Sequence, residues 1–310
     1  MAKRATQSRN DRVDRATDLA GRVAIRLALV LPWGARVRLM GWLVRRVVAP
    51  LAGWRARARA NLAHVWPDLP EGERHRIADA AAENAGRTMI ENYDVAGLRA
   101  RVRGLPLEGT GVAALERARA EGRPVLLVTG HFGNHEAPRA ALVERGYRVG
   151  GLYRPMANPH FNAHYAANMH ALSGPVFEQG RRGTMGLVRH LRAGGMGVLL
   201  FDTYAGAGAL IDFLGQPAPT LTSAAEIARK TSAELIPFFG LRQPDGLGFR
   251  LVFEAPIPPG DPLEMTREMS ARLEARVRET PGQWFWIHRR WKPERQARRQ
   301  RRRAAASTGP

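Results

Sequence analysis

The stretch that decides the fold is Pro124–Glu136, which reads PVLLVTGHFGNHE. Its apolar run, residues 125–128, predicts a short buried β-strand. The next residues, HFGN at 131–134, predict a tight turn, and Asn134 is a candidate N-cap for the helix that follows. In open α/β sheets, ligands usually bind in the crevice beyond the carboxyl ends of the strands. We therefore expect the chemistry of this protein to lie at this turn.

The turn carries a histidine and a carboxylate, His131 and Glu136, at a spacing of five. On one continuous helix these side chains would point about 140° apart, at ~100° per residue, whereas a turn between them would let them meet. A carboxylate bonded to one imidazole nitrogen fixes the tautomer and leaves the other nitrogen free to take a proton from a hydroxyl. We predict that the two form a general-base pair. The pair has no nucleophile of its own, so the hydroxyl must come from the substrate.

The positive charge of the chain lies at its two ends. The 310 residues have a formal net charge of +20; residues 1–60 carry 14 Lys/Arg and 3 Asp/Glu, residues 289–310 carry 9 and 1, and the segment between them carries 25 and 24. Nucleic-acid proteins usually carry their charge on the folded reading surface, among aromatic side chains. This distribution argues against a nucleic-acid partner and favours an anionic membrane surface or an acidic partner protein.

The N-terminal segment is amphipathic. Its best apolar run, Leu27–Ala35, contains Pro32 and falls short of the ~20 apolar residues that a membrane span needs. A group of basic residues falls within an arc of about 80° at ~100° per residue, opposite a largely apolar side; they are Arg12, Arg15, Arg22 and Arg26. A second amphipathic segment is Val37–Val48. Such helices lie in the headgroup plane of a membrane, and ordinary helices packed on the protein body are the alternative. The absence of cysteine excludes structural disulfides and thiolate metal sites.

The rest of the chain alternates strands with helices. The predicted strands lie at about 125–128, 147–152, 196–201, 235–239 and 249–253, and the predicted helices at about 18–31, 35–49, 53–65, 71–95, 111–121, 159–172, 184–193, 218–230 and 265–279. This alternation predicts an α/β fold in which a central, mostly parallel sheet has helices on both faces and follows N-terminal amphipathic helices. The expected parts are basic membrane-associating helices at 1–60, a catalytic domain at 61–292 and a basic tail at 293–310.

Three further patterns each have two interpretations. Asn84, Arg87 and Glu91 share one helix face, either as a solvated ion-pair face or as support for the site. Trp284, Trp286 and His288 alternate, which favours a core-facing last strand over an interfacial aromatic anchor.

The third pattern is a possible set of metal ligands. His131 and His135, with Glu136 or Asp202, would suit a metal only if both histidines lay on one helix. The H-E-x-x-H order of metallohydrolases is absent, and we predict no metal.

A resemblance to a known family joins these observations. GHFGNHE resembles the H-x4-D/E signature of glycerolipid-type acyltransferases, and most closely that of the late acyltransferases of lipid A biosynthesis. Other stretches resemble that family in the same order, from about residue 18 to 292; they are Asn84-Ala85-Gly86-Arg87 with Glu91, Tyr153-Arg154-Pro155 with Asn158-Pro159, Arg181-Arg182-Gly183-Thr184, Asp202, and Trp284 to Lys292. The chain departs from the family pattern in Asp202-Thr203, where Asp-Gln is common, and at His135, where an aromatic residue is common.

The resemblance implies transfer of a fatty acyl chain from an acyl carrier protein thioester to a hydroxyl of a lipid A precursor. No cofactor is expected beyond that thioester, and the expected place is the cytoplasmic face of the cell inner membrane. The predicted catalytic residues are His131 and Glu136. The predicted substrate-binding residues are Asn134, Arg154, Arg181 and Asp202.

The two arginines, with Arg182, are the cations that an anionic acceptor or a developing oxyanion requires. Asp202 could instead hold Arg154, bind the acceptor or cap the next turn. Acylation of a lysophospholipid or another lipid hydroxyl is the alternative reaction. A membrane-surface or nucleic-acid binding protein that acts through its basic ends is the alternative outside enzymes.

Overall fold

The computed structural model describes residues 2–292, and for residues 2–10 it describes the backbone alone. The helices are α1 (Ala2–Val30), α2 (Trp33–Leu43), α3 (Ala49–Leu51), α4 (Trp54–Val65), α5 (Glu71–Tyr93), α6 (Val95–Val102), α7 (Gly111–Ala120), α8 (Glu136–Glu144), α9 (Pro159–Leu172), α10 (Arg181–Arg192), α11 (Ser223–Thr231) and α12 (Pro262–Glu279). A π-helical turn, Val44–Val48, joins α2 to α3, and a 3-10 turn, Pro281–Gln283, follows α12. The tail predicted at 293–310 lies outside the described residues.

The strands form one central sheet and one separate hairpin. They are β1 (Leu107–Glu108), β2 (Val125–Thr129), β3 (Val149–Tyr153), β4 (Val176–Glu178), β5 (Met196–Leu200), β6 (Ala209–Phe213), β7 (Gln216–Thr220), β8 (Glu234–Arg242) and β9 (Phe249–Phe253). The seven-stranded sheet has the order β1-β9-β8-β2-β5-β3-β4, and only β8 and β9 pair in antiparallel fashion. Strands β6 and β7 form the hairpin. The predicted mostly parallel sheet is confirmed.

The central strand, β2, is covered on both sides, which explains its unbroken apolar sequence. Val125 and Leu127 pack in one core with the buried residues of α6, α7 and α8. Leu126 and Val128 pack in another core with those of α10, α11 and α12. The predicted placement of helices on both faces of the sheet is confirmed.

The N-terminal helices cover the same face as α6, α7 and α8, because Ile25, Ala28, Trp33 and Val37 enter that core. They also carry a set of large apolar side chains that remain exposed, which we call the N-terminal apolar surface; it consists of Leu19, Val23, Leu27, Val30, Leu39, Trp42, Val47, Val48 and Leu51. Within the described part of the chain, no helix combines the length and the hydrophobicity that crossing a membrane requires.

Two local predictions are wrong. The helix expected from residue 218 begins only at Ser223, and the preceding residues, with Pro217 and Pro219, form β7. Proline lacks an N–H donor and clashes inside a helix, whereas the edge of a hairpin tolerates it. The strand expected at Trp284–His288 is absent: Trp284 makes one isolated bridge to Phe132, and the chain then turns. The tryptophans of this segment are nevertheless buried, as predicted for core positions.

Candidate active site

The register of two neighbouring strands brings a histidine and an aspartate together. Strands β2 and β5 are parallel, and Thr129 lies opposite Leu200. Two residues further along each strand, His131 Nδ1 lies 2.7 Å from Asp202 Oδ1. The other carboxylate oxygen of Asp202 accepts the backbone N–H of His131 at 2.8 Å and the indole N–H of Trp284 at 2.9 Å. Asp202 is completely buried, and these three donors satisfy it.

The pair defines the tautomer of His131. Burial by itself raises the pKa of Asp202, but the charge of His131 and the hydrogen bonds from it hold that pKa far below its usual value. An ionised carboxylate only accepts hydrogen bonds, so Nδ1 of His131 carries the hydrogen and Nε2 carries the lone pair. Burial lowers the pKa of His131, but Asp202 outweighs it and the net pKa is raised. The side chain of His131 is 34% exposed, so a substrate can approach it.

The carboxylate that contacts His131 is therefore Asp202, and the hydrogen bond predicted between His131 and Glu136 is not formed. Glu136 begins α8, and its side chain runs along the helix to the guanidinium of Arg139 at 3.2 Å. Arg139 also donates to the carbonyls of Val149 and Ser173, which holds Glu136 inside the fold. Glu136 Oε1 lies 3.8 Å from His135 Nε2. Asn134 supports the same helix start, because its side chain accepts the backbone N–H of Glu136 at 3.0 Å.

The turn that carries His131 is fixed to β8 and to the segment after α12. Gly133 has a φ of +56°, and a Cβ there would lie 2.0 Å from the carbonyl oxygen of Gly240, so this position requires glycine. The N–H of Gly133 donates to Gln283 and the N–H of Asn134 donates to Gly240. The carbonyl of His131 accepts the N–H of Phe285 at 2.9 Å. Each backbone bond restricts the position of the imidazole.

A buried polar network on α5 supports the turn from the other side. Arg242 donates to both carboxylate oxygens of Glu91, at 2.6 and 2.7 Å, and to Asn84 at 2.8 Å. Glu91 accepts the side-chain amide of Asn134 at 2.9 Å. The side chains of Asn84 and Thr88 both donate to the carbonyl of Gly133. The polar face predicted on this helix therefore supports the site, except that Arg87 pairs with Glu83 on the same helix.

His131 lines a pocket of about 170 Å³ between α5 and the turn. The wall is mostly apolar and includes Ala81, Ala85, Met89 and Phe285, with His135 and Thr88 among its polar members. Met89 is 40% exposed, so the pocket reaches the surface. Burial lowers the pKa of His135 to about 4, so this second histidine is neutral at ordinary pH.

The predicted cations lie at the same edge of the sheet but farther away. Arg154 follows β3, and Arg181 and Arg182 begin α10 after β4. Strand β3 lies two strand spacings from β2, which is about 10 Å, and β4 lies three spacings from β2, which is about 14 Å. All three side chains are exposed, and none has a carboxylate partner within the part of the chain that is described. Their assignment to substrate binding stays a prediction.

The contact between His131 and Asp202 has the length of a hydrogen bond and not that of two ligands on one zinc ion. Among the described residues, the histidine and carboxylate groups that come close enough for a shared ion are His131, Asp202 and His288, not the set that includes His135. Two ligand atoms on one tetrahedral zinc, each bonded at ~2.0 Å, lie about 3.3 Å apart. The 2.7 Å separation of His131 Nδ1 and Asp202 Oδ1 is that of a hydrogen bond.

Comparison with known proteins identifies the family. The family model described as bacterial lipid A biosynthesis acyltransferase matches residues 4–293. The chain belongs to this family. It is therefore an acyltransferase.

Two curated relatives agree with this assignment. A lipid A biosynthesis acyltransferase of Haemophilus influenzae is 25% identical over 264 residues, which cover 84% of this chain and 83% of the relative. A lipid A biosynthesis lauroyltransferase of Escherichia coli K12 is 28% identical over 240 residues, which cover 75% and 77%.

Sequence reasoning missed several members of the site of this acyltransferase. The sequence offers Asp202 as a partner for Arg154 or the acceptor, as a cap or as a metal ligand, but not as the partner that orients His131, because the strand register that aligns the two residues cannot be derived from the sequence. Trp284 was predicted to be a core residue and not a donor to Asp202. Arg242 gave no signal, since it is one arginine at the end of an apolar strand. His288 also lies beside the pair, and burial lowers its pKa to about 3.

Proposed function

We propose that this acyltransferase moves a fatty acyl chain from an acyl carrier protein thioester to a hydroxyl of a lipid A precursor, with His131 as the general base. The observation that carries the proposal is that His131, paired with Asp202, lines an apolar pocket in a chain of this family. A base that lacks a neighbouring nucleophile suits a reaction in which the substrate brings the hydroxyl.

The proposed step begins at His131 Nε2, which removes the proton from the acceptor hydroxyl as its oxygen attacks the thioester carbonyl. The imidazolium that forms is stabilised by the negative charge of Asp202. When the tetrahedral intermediate collapses, the carbon–sulfur bond breaks and the imidazolium returns its proton to the leaving thiolate. The products are an ester and the free thiol of the carrier.

The other predicted residues receive supporting roles in this proposal. Glu136 and Asn134 fix the start of α8 and thereby the turn that holds His131. Arg154 and Arg181 would bind the anionic groups of the acceptor, since guanidinium groups suit phosphate and neither arginine has a carboxylate partner in the described chain. The pocket is smaller than most ligand sites, so a long acyl chain would extend from it past Met89 towards the surface.

We place the enzyme at the cytoplasmic face of the cell inner membrane. The N-terminal apolar surface exposes more large apolar side chains than is usual for helices that face water. Arg12 and Arg26 are exposed on α1, which carries part of this surface. An apolar cluster lies between the N-terminal helices and the pocket: Trp54, Ala85 and Phe285 pack against Ala49, Ala82 and Ile287, and Ala85 and Phe285 also line the pocket. An acceptor embedded in a bilayer could therefore reach His131 without leaving the apolar layer.

The test is an assay with purified enzyme, an acyl carrier protein thioester and a lipid A precursor, in which mass spectrometry identifies the product. We expect His131→Ala to lower turnover by about 10²–10⁴-fold. The exposed His170→Ala is the matched control and should keep full activity. Near-wild-type turnover in a folded His131→Ala enzyme would contradict the mechanism. Acylation of a lysophospholipid and not of the lipid A precursor would contradict the proposed acceptor.

A further inference from the structure

Helix α10 presents a strongly basic face to solvent. Four of its residues are exposed arginines, and Met185, which lies beside them on the helix, is 55% exposed. We call these five residues the α10 basic face; they are Arg181, Arg182, Met185, Arg189 and Arg192. Residues 181, 185, 189 and 192 follow helical spacing and therefore share one side. The opposite side, with Leu187 and Leu191, is buried against the sheet.

The positive charge on this face is not used inside the fold. The four arginines of α12, by contrast, all pair with glutamates: Arg267 contacts Glu264, Arg272 and Arg276 contact Glu254, and Arg278 contacts Glu274. None of the four on α10 has such a partner among residues 2–292. Arg181 and Arg182 also occupy the first turn, where the helix dipole disfavours cations. Like charges gathered in one place without counter-charges suit an external anionic partner.

The position of the face favours a soluble partner over a membrane. Helix α10 packs on the sheet face that carries α11 and α12, whereas the N-terminal apolar surface belongs to helices on the opposite face. A bilayer bound to the N-terminal helices would therefore leave α10 turned towards water. The helix begins just after β4, about 14 Å from β2 by strand spacing and at the same edge of the sheet as His131.

We propose that the α10 basic face docks the acidic protein that carries the acyl thioester; this inference rests on the proposed function. Acidic side chains of the carrier contact Arg189 and Arg192, and an apolar residue of the carrier packs on Met185, so that charge lies beside an apolar contact; Arg181, at the start of the helix, keeps its proposed role towards the acceptor. The thioester, on its long flexible arm, then crosses the sheet edge past Arg154 and reaches His131. Charge attraction at this face mainly raises the rate of association, which is sensitive to salt.

The experiment compares two donors with one acceptor. One donor is the acyl carrier protein thioester and the other is the same acyl chain on free pantetheine, which lacks the protein. The variant is Arg189→Glu with Arg192→Glu, because these residues lie farthest from the chemistry and have no proposed role in substrate binding. The control is Arg117→Glu, which reverses an exposed charge on α7, on the opposite face of the sheet.

We expect the double variant to raise the KM for the carrier-bound donor by about tenfold or more, and to leave kcat/KM for the pantetheine donor unchanged. Added salt should raise the carrier KM of the wild-type enzyme far more than that of the variant. An unchanged carrier KM in the double variant overturns the proposal. If the double variant sediments less with anionic phosphatidylglycerol vesicles than the wild type does and its carrier KM is unchanged, the face binds the membrane, and the proposal is likewise overturned. A wild-type enzyme that transfers from neither donor overturns the proposed function itself, and this inference with it.

Discussion

Nδ1 of His131 lies 2.7 Å from Oδ1 of Asp202 because two parallel strands end in register. The histidine follows β2 and the aspartate follows β5, so residues that are 71 positions apart in the chain share one hydrogen bond. The carboxylate is buried and accepts two further donors, so it cannot turn away from the imidazole without leaving those donors unpaired. The position and the tautomer of His131 therefore depend on Asp202.

The first prediction compares the two carboxylates near His131. Asp202→Asn should lower turnover by about 10²–10⁴-fold, because an amide in place of the carboxylate favours the wrong tautomer of His131 and removes the charge that stabilises the imidazolium. Glu136→Gln should retain much more activity, since Glu136 contacts Arg139 and not His131. Steady-state kinetics of both variants, with thermal unfolding as a check on folding, decide the question. A larger loss in Glu136→Gln would restore the pairing predicted from the sequence.

The second prediction concerns pH. The pKa of His131 lies above its usual value of 6.5, because Asp202 outweighs the effect of burial. A general base acts in its neutral form, so kcat/KM should rise with pH, with its midpoint above 6.5. His135 and His288, with pKa values of about 4 and 3, stay neutral in this range.

Asp202→Asn supplies the control for this profile. Without the charge of Asp202, burial lowers the pKa of His131, so the midpoint should move below that of the wild type. A profile with the same midpoint in both enzymes would mean that His131 is not the titrating group.

The third prediction concerns the buried pair beneath the turn. Arg242→Gln removes the cation that pairs with the completely buried Glu91, and should lower the free energy of unfolding by about 3–5 kcal/mol. Adding Glu91→Gln should recover part of that loss, because the uncompensated charge disappears. Denaturant unfolding measures both values.

The matched control for the buried pair is Arg250→Gln, which breaks a partly exposed ion pair with Glu108. It should cost about 0–1 kcal/mol. Equal losses in Arg242→Gln and Arg250→Gln would show that the network on α5 is not a special support of the site.

The fourth prediction tests the membrane surface. Leu27 and Leu51 are 67% and 85% exposed on the N-terminal apolar surface. Changing both to glutamate should lower binding to anionic phospholipid vesicles at least tenfold, because each buried leucine contributes about 1.5–3 kcal/mol. Vesicle sedimentation measures the effect. Leu210→Glu, at a residue that is 45% exposed on the β6–β7 hairpin, should change nothing, and equal losses would point to nonspecific adsorption.

Local patterns in the sequence predicted much of the fold and one member of the His131–Asp202 pair, the histidine. The apolar run of β2, the turn after it and the proline in the first turn of α8 all occur as predicted. Those features depend on neighbouring residues, and their patterns are written in adjacent positions. The β6–β7 hairpin is not predicted, because the helix predicted from residue 218 overlaps β7, whose Pro217 and Pro219 suit an edge strand.

What the sequence by itself determined is that a histidine follows a buried strand in an acyltransferase of this family, with charge at the ends of the chain and an apolar N-terminal segment. Only the tertiary structure decided which carboxylate meets that histidine. Glu136 is near in sequence, but α8 directs it to Arg139, while the alignment of β2 with β5 places Asp202 at Nδ1. Strand order and register depend on the packing of the whole sheet, which no short stretch of sequence encodes.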